Sequence, residues 1–530
     1  MAVAVDGPTV VEERRPRTFL ILAGMMLALF LAALDQTIVA TAAPSVVSAL
    51  GVFNLFAWVF ATYMLASTAV TPIAGKLSDT YGRRWVYLIG VTIFMVGSAM
   101  SGASQSMEWL IFSRGMQGLG AGALFPVSMA TIADLYPPAK RGKVQGLFAA
   151  VFGVSSIIGP TAGGYLVDNV SWRWIFYVNL PTGLLALVVL FLAMRDTAPH
   201  GPRPTIDYLG AAVLTAAITT TLLIIIWGGS TYEWLSAPII GMGVGAVALW
   251  VLAWVVESRA ESPILPVAFF KVQVFTVSMI SRLFIGGGMF GAILFIPLYV
   301  QVVIGSSATD SGLVLTPMML GIVFASGISG FALSRFKRYK YLTFVGILLM
   351  IGGFYLLSTM TPETSSGEAV RNMLMMGTGL GITFPLYTVA VQNAFRRREM
   401  GVVSSAGELF RGVGGTIGST VFGLVMANRF AAEMDASLLR MDPDHVASVP
   451  PGLITQMVKN PQQLGRASAI PPQFLDLIQA SMSTAITGLF VIGLGLMVVA
   501  LVVNFWLPEA PLRDTWDEPE GQEAADETGR

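Results

Sequence analysis

The 530 residues are 55% hydrophobic and 12% charged, with a mean hydropathy of +0.72, where soluble domains carry about 25% charge. Lys plus Arg (31) equals Asp plus Glu (31) and there is no Cys. No net field therefore recruits nucleic acid, and disulfides, thiolate zinc sites and thiol nucleophiles are excluded. Two His, His200 and His445, leave little for imidazole chemistry. At roughly 20 residues per span, this length holds more than a dozen membrane helices with short connections.

Taken in chain order, residues 1–17 read as a cytoplasmic N-terminal segment, and apolar runs bounded by charge, Pro or Gly then predict fourteen spans. A first group of six occupies 18–41, 53–74, 85–103, 107–134, 144–167 and 174–194, making a unit over 18–194. A pair at 208–227 and 237–256 follows. The last six, at 275–303, 311–333, 341–358, 370–394, 401–427 and 483–507, make a unit over 275–507. The loop 428–480 carries Pro450-Pro451, Pro471-Pro472 and both charge signs, and reads as short amphipathic pieces on the outer surface. The tail 508–530 has eight acidic residues from Glu509 on and reads as disordered.

Arg14, Arg15 and Arg17 before the first apolar run, and Ala40-Thr41-Ala42 at its end, mimic a signal peptide. The run is too long for a signal core, contains Asp35 and is followed by thirteen further spans, so it reads as a membrane helix.

Short loops rich in Lys and Arg stay cytoplasmic. With the N-terminus inside, 22 basic residues fall inside, 6 outside, counting Arg371 at the outer edge of its span, and 3 deeper within spans. Four of the outer six, Arg429, Arg440, Lys459 and Arg466, lie in the long outer loop, where the rule is weak. The even span count then puts both termini in the cytoplasm.

The same events recur eight spans apart. The basic loop Lys76–Arg84 after the second span is matched by Arg335–Lys340 after the tenth, and Lys140-Arg141-Gly142-Lys143 before the fifth by Arg396-Arg397-Arg398 before the thirteenth. The Gly-rich fifth span is echoed by the thirteenth. Two six-span halves separated by two extra helices give that offset, as duplicated transporters do.

Several of these segments resemble known motifs. Gly75-Lys-Leu-Ser-Asp79-Thr-Tyr-Gly82-Arg83-Arg84 is similar to the signature loop between the second and third helices of the major facilitator superfamily. Leu34-Asp35-Gln36-Thr37-Ile38-Val39, closing with Pro44, resembles the first-helix motif of its fourteen-span drug:proton antiporters. Arg114-Gly-Met-Gln117-Gly118-Leu-Gly120 looks like the fourth-helix motif, and Gly153 through Gly159-Pro160-Thr-Ala-Gly163-Gly164 like the antiporter motif of the fifth. Ser171-Trp172-Arg173-Trp174 through Asn179-Leu-Pro181 is also typical of that group. The resemblance implies an all-α membrane fold of two six-helix halves plus two extra helices. It further implies a monomer without cofactor, driven by the proton gradient, in a bacterial-type inner membrane.

Asp35 is the most informative single residue, since a carboxylate within a span is costly and marks a pathway or proton site. It lies about seven residues before the outer end of its helix and Arg114 about seven after the outer start of the fourth, so both sit roughly 10 Å deep at 1.5 Å per residue. The expectation is that Asp35 takes the transported proton while Arg114, by favouring the charged carboxylate, sets when it leaves. The plainer alternative is a static ion pair that fixes helix packing.

Glu408 is a second acid within a span, one turn before Arg411 and at a depth similar to Arg282. The family usually has a neutral amide at this position, so the resemblance assigns it nothing. It reads either as a second proton site or counter-charge for a cation, or as the neutralising partner of Arg411 or Arg282. In the loop, Gly75 and Gly82 permit a tight turn and Asp79 can cap a helix N-terminus or pair with Arg83. The resemblance implies that this loop, with Arg84, latches the cytoplasmic side. The bland alternative is a loop that merely sets topology.

Gly159-Pro160 falls near mid-span, where a proline kinks the helix and Gly153, Gly163 and Gly164 allow close approach. In the family this motif goes with export. Gln36, Tyr63 and Gln117, with Arg282 and Arg411, are the candidates for a substrate cavity, and Trp172 and Trp174 read as interfacial anchors. The leading function is a proton-coupled exporter of hydrophobic, often cationic, drugs or dyes. A proton-coupled exporter of a specific endogenous metabolite or lipid is the alternative, and a non-transporting receptor a more distant one. No Walker lysine loop, G-x-S-x-G, H-E-x-x-H or dinucleotide fingerprint supports an enzyme.

Overall fold

The computed structural model describes residues 14–41, 46, 49–50, 56–195, 207–229, 231–304, 308–438 and 472–512. Pro44, the side chain of Pro160, the middle of the long loop (439–471) and the tail from 513 lie outside the described residues. The first six helical runs are α1 (Arg14–Thr41), α2 (Phe56–Tyr81), α3 (Arg83–Gly102), α4 (Met107–Leu135), α5 (Pro138–Asn169) and α6 (Trp174–Ala193, broken at Val178). The pair α7 (Tyr208–Trp227) and α8 (Ala237–Arg259) comes next. The last six are α9 (Gln273–Val302), α10 (Ala308–Phe336), α11 (Lys340–Ser358), α12 (Ser366–Ala394), α13 (Met400–Leu438) and α14 (Pro472–Asn504).

Among the described residues twelve helices are long and apolar enough to cross a membrane. The other two, α2 and α5, are as long but diluted by Ser, Thr, Gly and Pro. Their packing explains the dilution. Helix α2 lies against α13 and α5 against α10, so each faces the opposite half over much of its surface. A Cβ at Gly142 of α5 would stand 2.8 Å from the Gly330 Cα of α10, which shows how closely those backbones meet.

Local signals place the helix ends. Ser106 accepts from the Trp109 N–H at the start of α4, Asp207 from Gly210 N–H at α7, and Ser365 with Glu368 forms a capping box on α12. Between α2 and α3 the single residue Gly82 reverses the chain at φ 92°, a left-handed conformation that a side chain would strain. Polar side chains such as Asp35, Arg114, Asn179 and Asn504 are buried, whereas Phe19, Leu192, Val244, Trp254, Phe331 and Phe505 are exposed. That inversion suits a lipid solvent. The α7–α8 pair leans on the bundle beside α2, where the Trp58 and Trp227 rings meet at 5.8 Å, and most of α8 is exposed.

Two boundaries differ from the sequence expectation. Residues 428–438 continue α13 and 472–482 already belong to α14, so the long loop is shorter than 428–480 at both ends. The tail is not free from its start. Leu507 and Leu512 are buried, and the stretch between them straps the ends of α11 and α12. The two leucines supply the apolar anchors that the acidic composition of the tail obscured.

Candidate functional site

The N-terminal half converges on Asp35. Its Oδ2 lies 2.6 Å from Arg114 Nη1, while Oδ1 accepts from Gln117 Nε2 at 2.8 Å and from Asn179 Nδ2 at 3.2 Å. Arg114 and Gln117, one turn apart on α4, share a face, and Asn179 enters from the break in α6. Arg114 also donates to Gln117 Oε1 at 2.7 Å and Val59 O at 3.3 Å, and its guanidinium sits 4.4 Å over the Tyr63 ring. Asp35 is 0% exposed. The buried carboxylate thus meets three nitrogen donors, one of them a guanidinium.

Gln117 and Tyr63, expected on a cavity wall, are buried within this knot, and Gln36 is exposed. Adjacent residues on a helix point about 100° apart, so burying Asp35 turns Gln36 away. Trp174 is exposed as an anchor should be, but Trp172 is buried, with Arg173 4.4 Å over its ring. Asn179 carried no role in the sequence analysis. Its signal was an amide within an apolar run, a group that must find partners when buried.

Helix α5 connects this knot to the other half. Gly159 packs on Thr37, two residues beyond Asp35, and Thr37 Oγ1 donates to Ser155 O at 3.2 Å. Gly153 faces Val323 of α10, Gly163 is buried, and Gly164 has no neighbour within 4 Å of where a Cβ would stand. The backbone is helical through Gly159 and Pro160.

At the end bearing the basic loops, the halves are tied together. Asp79 accepts from the backbone N–H of Gly401 and of Val402, both at 2.9 Å, and thereby caps α13 from α2. Arg83 pairs with Asp79 at 2.5 Å and Asp134 at 2.9 Å. Arg397 of the opposite half donates to Asp134 O at 2.8 Å, and Gln392 Nε2 to Met129 O at 3.3 Å. Gly75 is required here, because a Cβ would overlap Ser405 Oγ and the Gly401 carbonyl. Arg84 stands apart from this tie. It donates to Phe191 O at 3.0 Å and lies over the Phe191 ring, binding α3 to α6.

The C-terminal half carries a second charged cluster. Glu408 Oε2 accepts from Arg411 Nη2 at 2.6 Å and Nε at 3.0 Å, while Oε1 lies 3.6 Å from Arg282 Nη1. Arg282 also donates to Thr388 Oγ1. Both guanidiniums stand 5.7 Å from the Phe384 ring, which meets Phe125 of α4 edge-on at 5.7 Å across the halves. Among the described residues no group of His, Asp and Glu has metal-site geometry.

Known proteins share this architecture. The Major Facilitator Superfamily model matches residues 25–419. The chain is 36% identical to Multidrug transporter protein MdtP of Bacillus subtilis, over 97% of this chain and 98% of that protein. It is 37% identical to Multidrug resistance protein 3 of the same organism, over 95% and 97%. Among solved structures, the MFS proton:xylose symporter XylE superposes with a TM-score of 0.61 at 14% identity, over 93% of this chain and 96% of that one. A likeness at that identity shows the fold alone. The all-helical bundle and the match along most of its length place the chain in the Major Facilitator Superfamily, as a multi-pass membrane transporter and not an enzyme.

Proposed function

We propose that the protein exports hydrophobic, often cationic, compounds in exchange for protons, with Asp35 as the proton site. The relatives named for multidrug transport support the export half of this reading. The coupling half is carried by one observation, the pairing of a fully buried Asp35 with Arg114. Protonation removes the charge that holds α1 to α4 and α6. Arg114 is then left with Gln117 Oε1 and Val59 O as acceptors, which lowers the cost of separating the pair. Glu408, between Arg282 and Arg411, is the candidate for a second titrating acid.

In this reading the basic end is cytoplasmic, both termini lie inside a bacterial-type inner membrane, and the Asp79 tie closes the inner side while the outer side loads and releases. The two halves rock about the centre, with the Gly-rich face of α5 as the sliding surface.

The test is lumenal pH in proteoliposomes under a proton gradient, with and without ethidium, for wild type and Asp35→Asn. Dye-triggered proton movement that disappears in the variant is expected. Equal movement in the variant overturns the role of Asp35. No movement in wild type across a panel of lipophilic cations overturns the cation reading and favours proton-coupled export of a specific endogenous metabolite or lipid.

A further inference from the structure

The charged cluster of the C-terminal half is not neutral. Arg282 and Arg411 bring two guanidinium charges to one carboxylate, and among the described residues the ion pairs of both end on Glu408. By contrast, Asp35 and Arg114 balance each other. Arg282 lies nine residues into α9, Glu408 and Arg411 eight and eleven into α13, and Phe384 ten from the end of α12. At 1.5 Å per residue all sit about 12–16 Å from the basic end, in the middle of a hydrocarbon core of about 30 Å. An uncompensated cation at that depth is expensive and marks a ligand pathway.

The charge balance leaves a place for a second anion, while the pocket beside it, about 20 Å³ in this closed form, has to widen as the halves part to admit one. Glu408 uses one oxygen on Arg411, and its other is 3.6 Å from Arg282, beyond a good hydrogen bond. Arg282, with 8% of its side chain exposed, keeps a buried Nε that has no acceptor. The Arg411 side chain is 27% exposed, so it is the less enclosed of the two arginines. Both arginines line a small pocket with Met289, Thr383, Phe384 and Tyr387, and Phe384 turns its ring to Phe125 of the other half. The pocket therefore borders the face where the halves meet.

We propose that Arg282 and Arg411 form a subsite for the carboxylate of an aromatic substrate, the ring packing on Phe384 and Tyr387. A guanidinium presents paired N–H donors that match a carboxylate, and the pocket wall is aromatic and thioether in character. The proposal rests on the export reading and widens its substrate range from cations to anionic and zwitterionic compounds. Glu408 acts there as the internal competitor, occupying the arginines until the ligand carboxylate arrives.

Fluorescein and rhodamine 123 share a xanthene frame but carry opposite charge, which makes them a matched pair of probes. Binding is read by anisotropy on the full chain in lipid nanodiscs. Fluorescein is expected to bind, to weaken roughly tenfold or more in Arg411→Gln, and to tighten several-fold in Glu408→Gln, where the competing carboxylate is gone. Rhodamine 123, a cation, should not weaken in Arg411→Gln, where a repelling charge is lost, and its retained binding reports that the variant is folded. Benzoate should displace fluorescein where equal chloride does not.

No fluorescein binding in either wild type or Glu408→Gln overturns the proposal, as does unchanged affinity in Arg411→Gln. Displacement by chloride as effective as by benzoate reassigns the subsite to an inorganic anion and overturns the carboxylate. If rhodamine 123 is still exported by cells while fluorescein fails to bind, this subsite falls and the export reading stands. Loss of export for both dyes removes the export reading itself.

Discussion

Asp79, on α2, accepts the backbone N–H of Gly401, the second residue of α13, at 2.9 Å, and so joins the two halves by capping a helix of one with a side chain of the other. The same carboxylate pairs with Arg83, so removing it frees a helix terminus and leaves the arginine with Asp134 as its ionic partner. Hydrogen bonds to a charged group contribute about 1.5–3 kcal/mol each. Asp79→Ala is therefore expected to shift the population toward the form open at the basic end by tenfold or more. The chain has no Cys, so spin labels on Tyr81→Cys and Arg398→Cys report the distance without background. A distribution unchanged by Asp79→Ala would show that the tie is not what holds this end closed. Gly75→Ala should produce the same opening, because its methyl group collides with the Gly401 carbonyl and not only with the Ser405 side chain.

Asn179 holds Asp35 Oδ1 with one amide hydrogen and Ser98 Oγ at 3.0 Å with the other. Asn179→Ala leaves the buried carboxylate with two donors in place of three, a loss of about 1–3 kcal/mol. Dye-coupled proton movement in proteoliposomes should fall by roughly tenfold, while dye affinity stays near wild type. A fall in affinity with unchanged coupling would place Asn179 in the substrate site instead.

Phe384 and Phe125 meet across the halves some 15 Å inside the charged tie. Such an aromatic pair contributes about 0.5–1.5 kcal/mol beyond its buried area. Phe384→Ala is expected to raise passive dye leak through proteoliposomes without a gradient, by a few-fold. A leak equal to that of wild type would mean the polar tie alone seals the pathway.

The strap beyond α14 should matter for stability. Glu509 accepts from the N–H of Tyr339 at 3.0 Å and of Lys340 at 3.2 Å, capping α11, and Asn393 Nδ2 donates to Pro511 O at 3.2 Å. Tyr339 OH donates to Pro508 O at 2.8 Å. Burial pushes this phenol up to about 12, so it remains a donor throughout the physiological range. A chain ending at Leu507 should unfold a few degrees below one ending at Leu512 by intrinsic fluorescence in detergent. Equal midpoints would make the strap incidental.

Much of this protein is determined by composition and by the period of its apolar runs. Long apolar segments in lipid have to be helices, because no solvent satisfies an open backbone, so the number of spans and their order follow from the sequence alone. Asp35 and Arg114 declared themselves as charges that no lipid-facing position tolerates, and counting residues from the helix ends put them at one depth. Which groups complete that pair, and what each glycine faces, depends on rotation and contact between helices that no single span encodes. Asn179, Asp134 and Phe384 acquire their partners only when α6, α4 and α12 are packed. Likewise depth alone left open whether Glu408 pairs with Arg411 or Arg282, and only the packing of α9 on α13 brings both arginines to the one carboxylate.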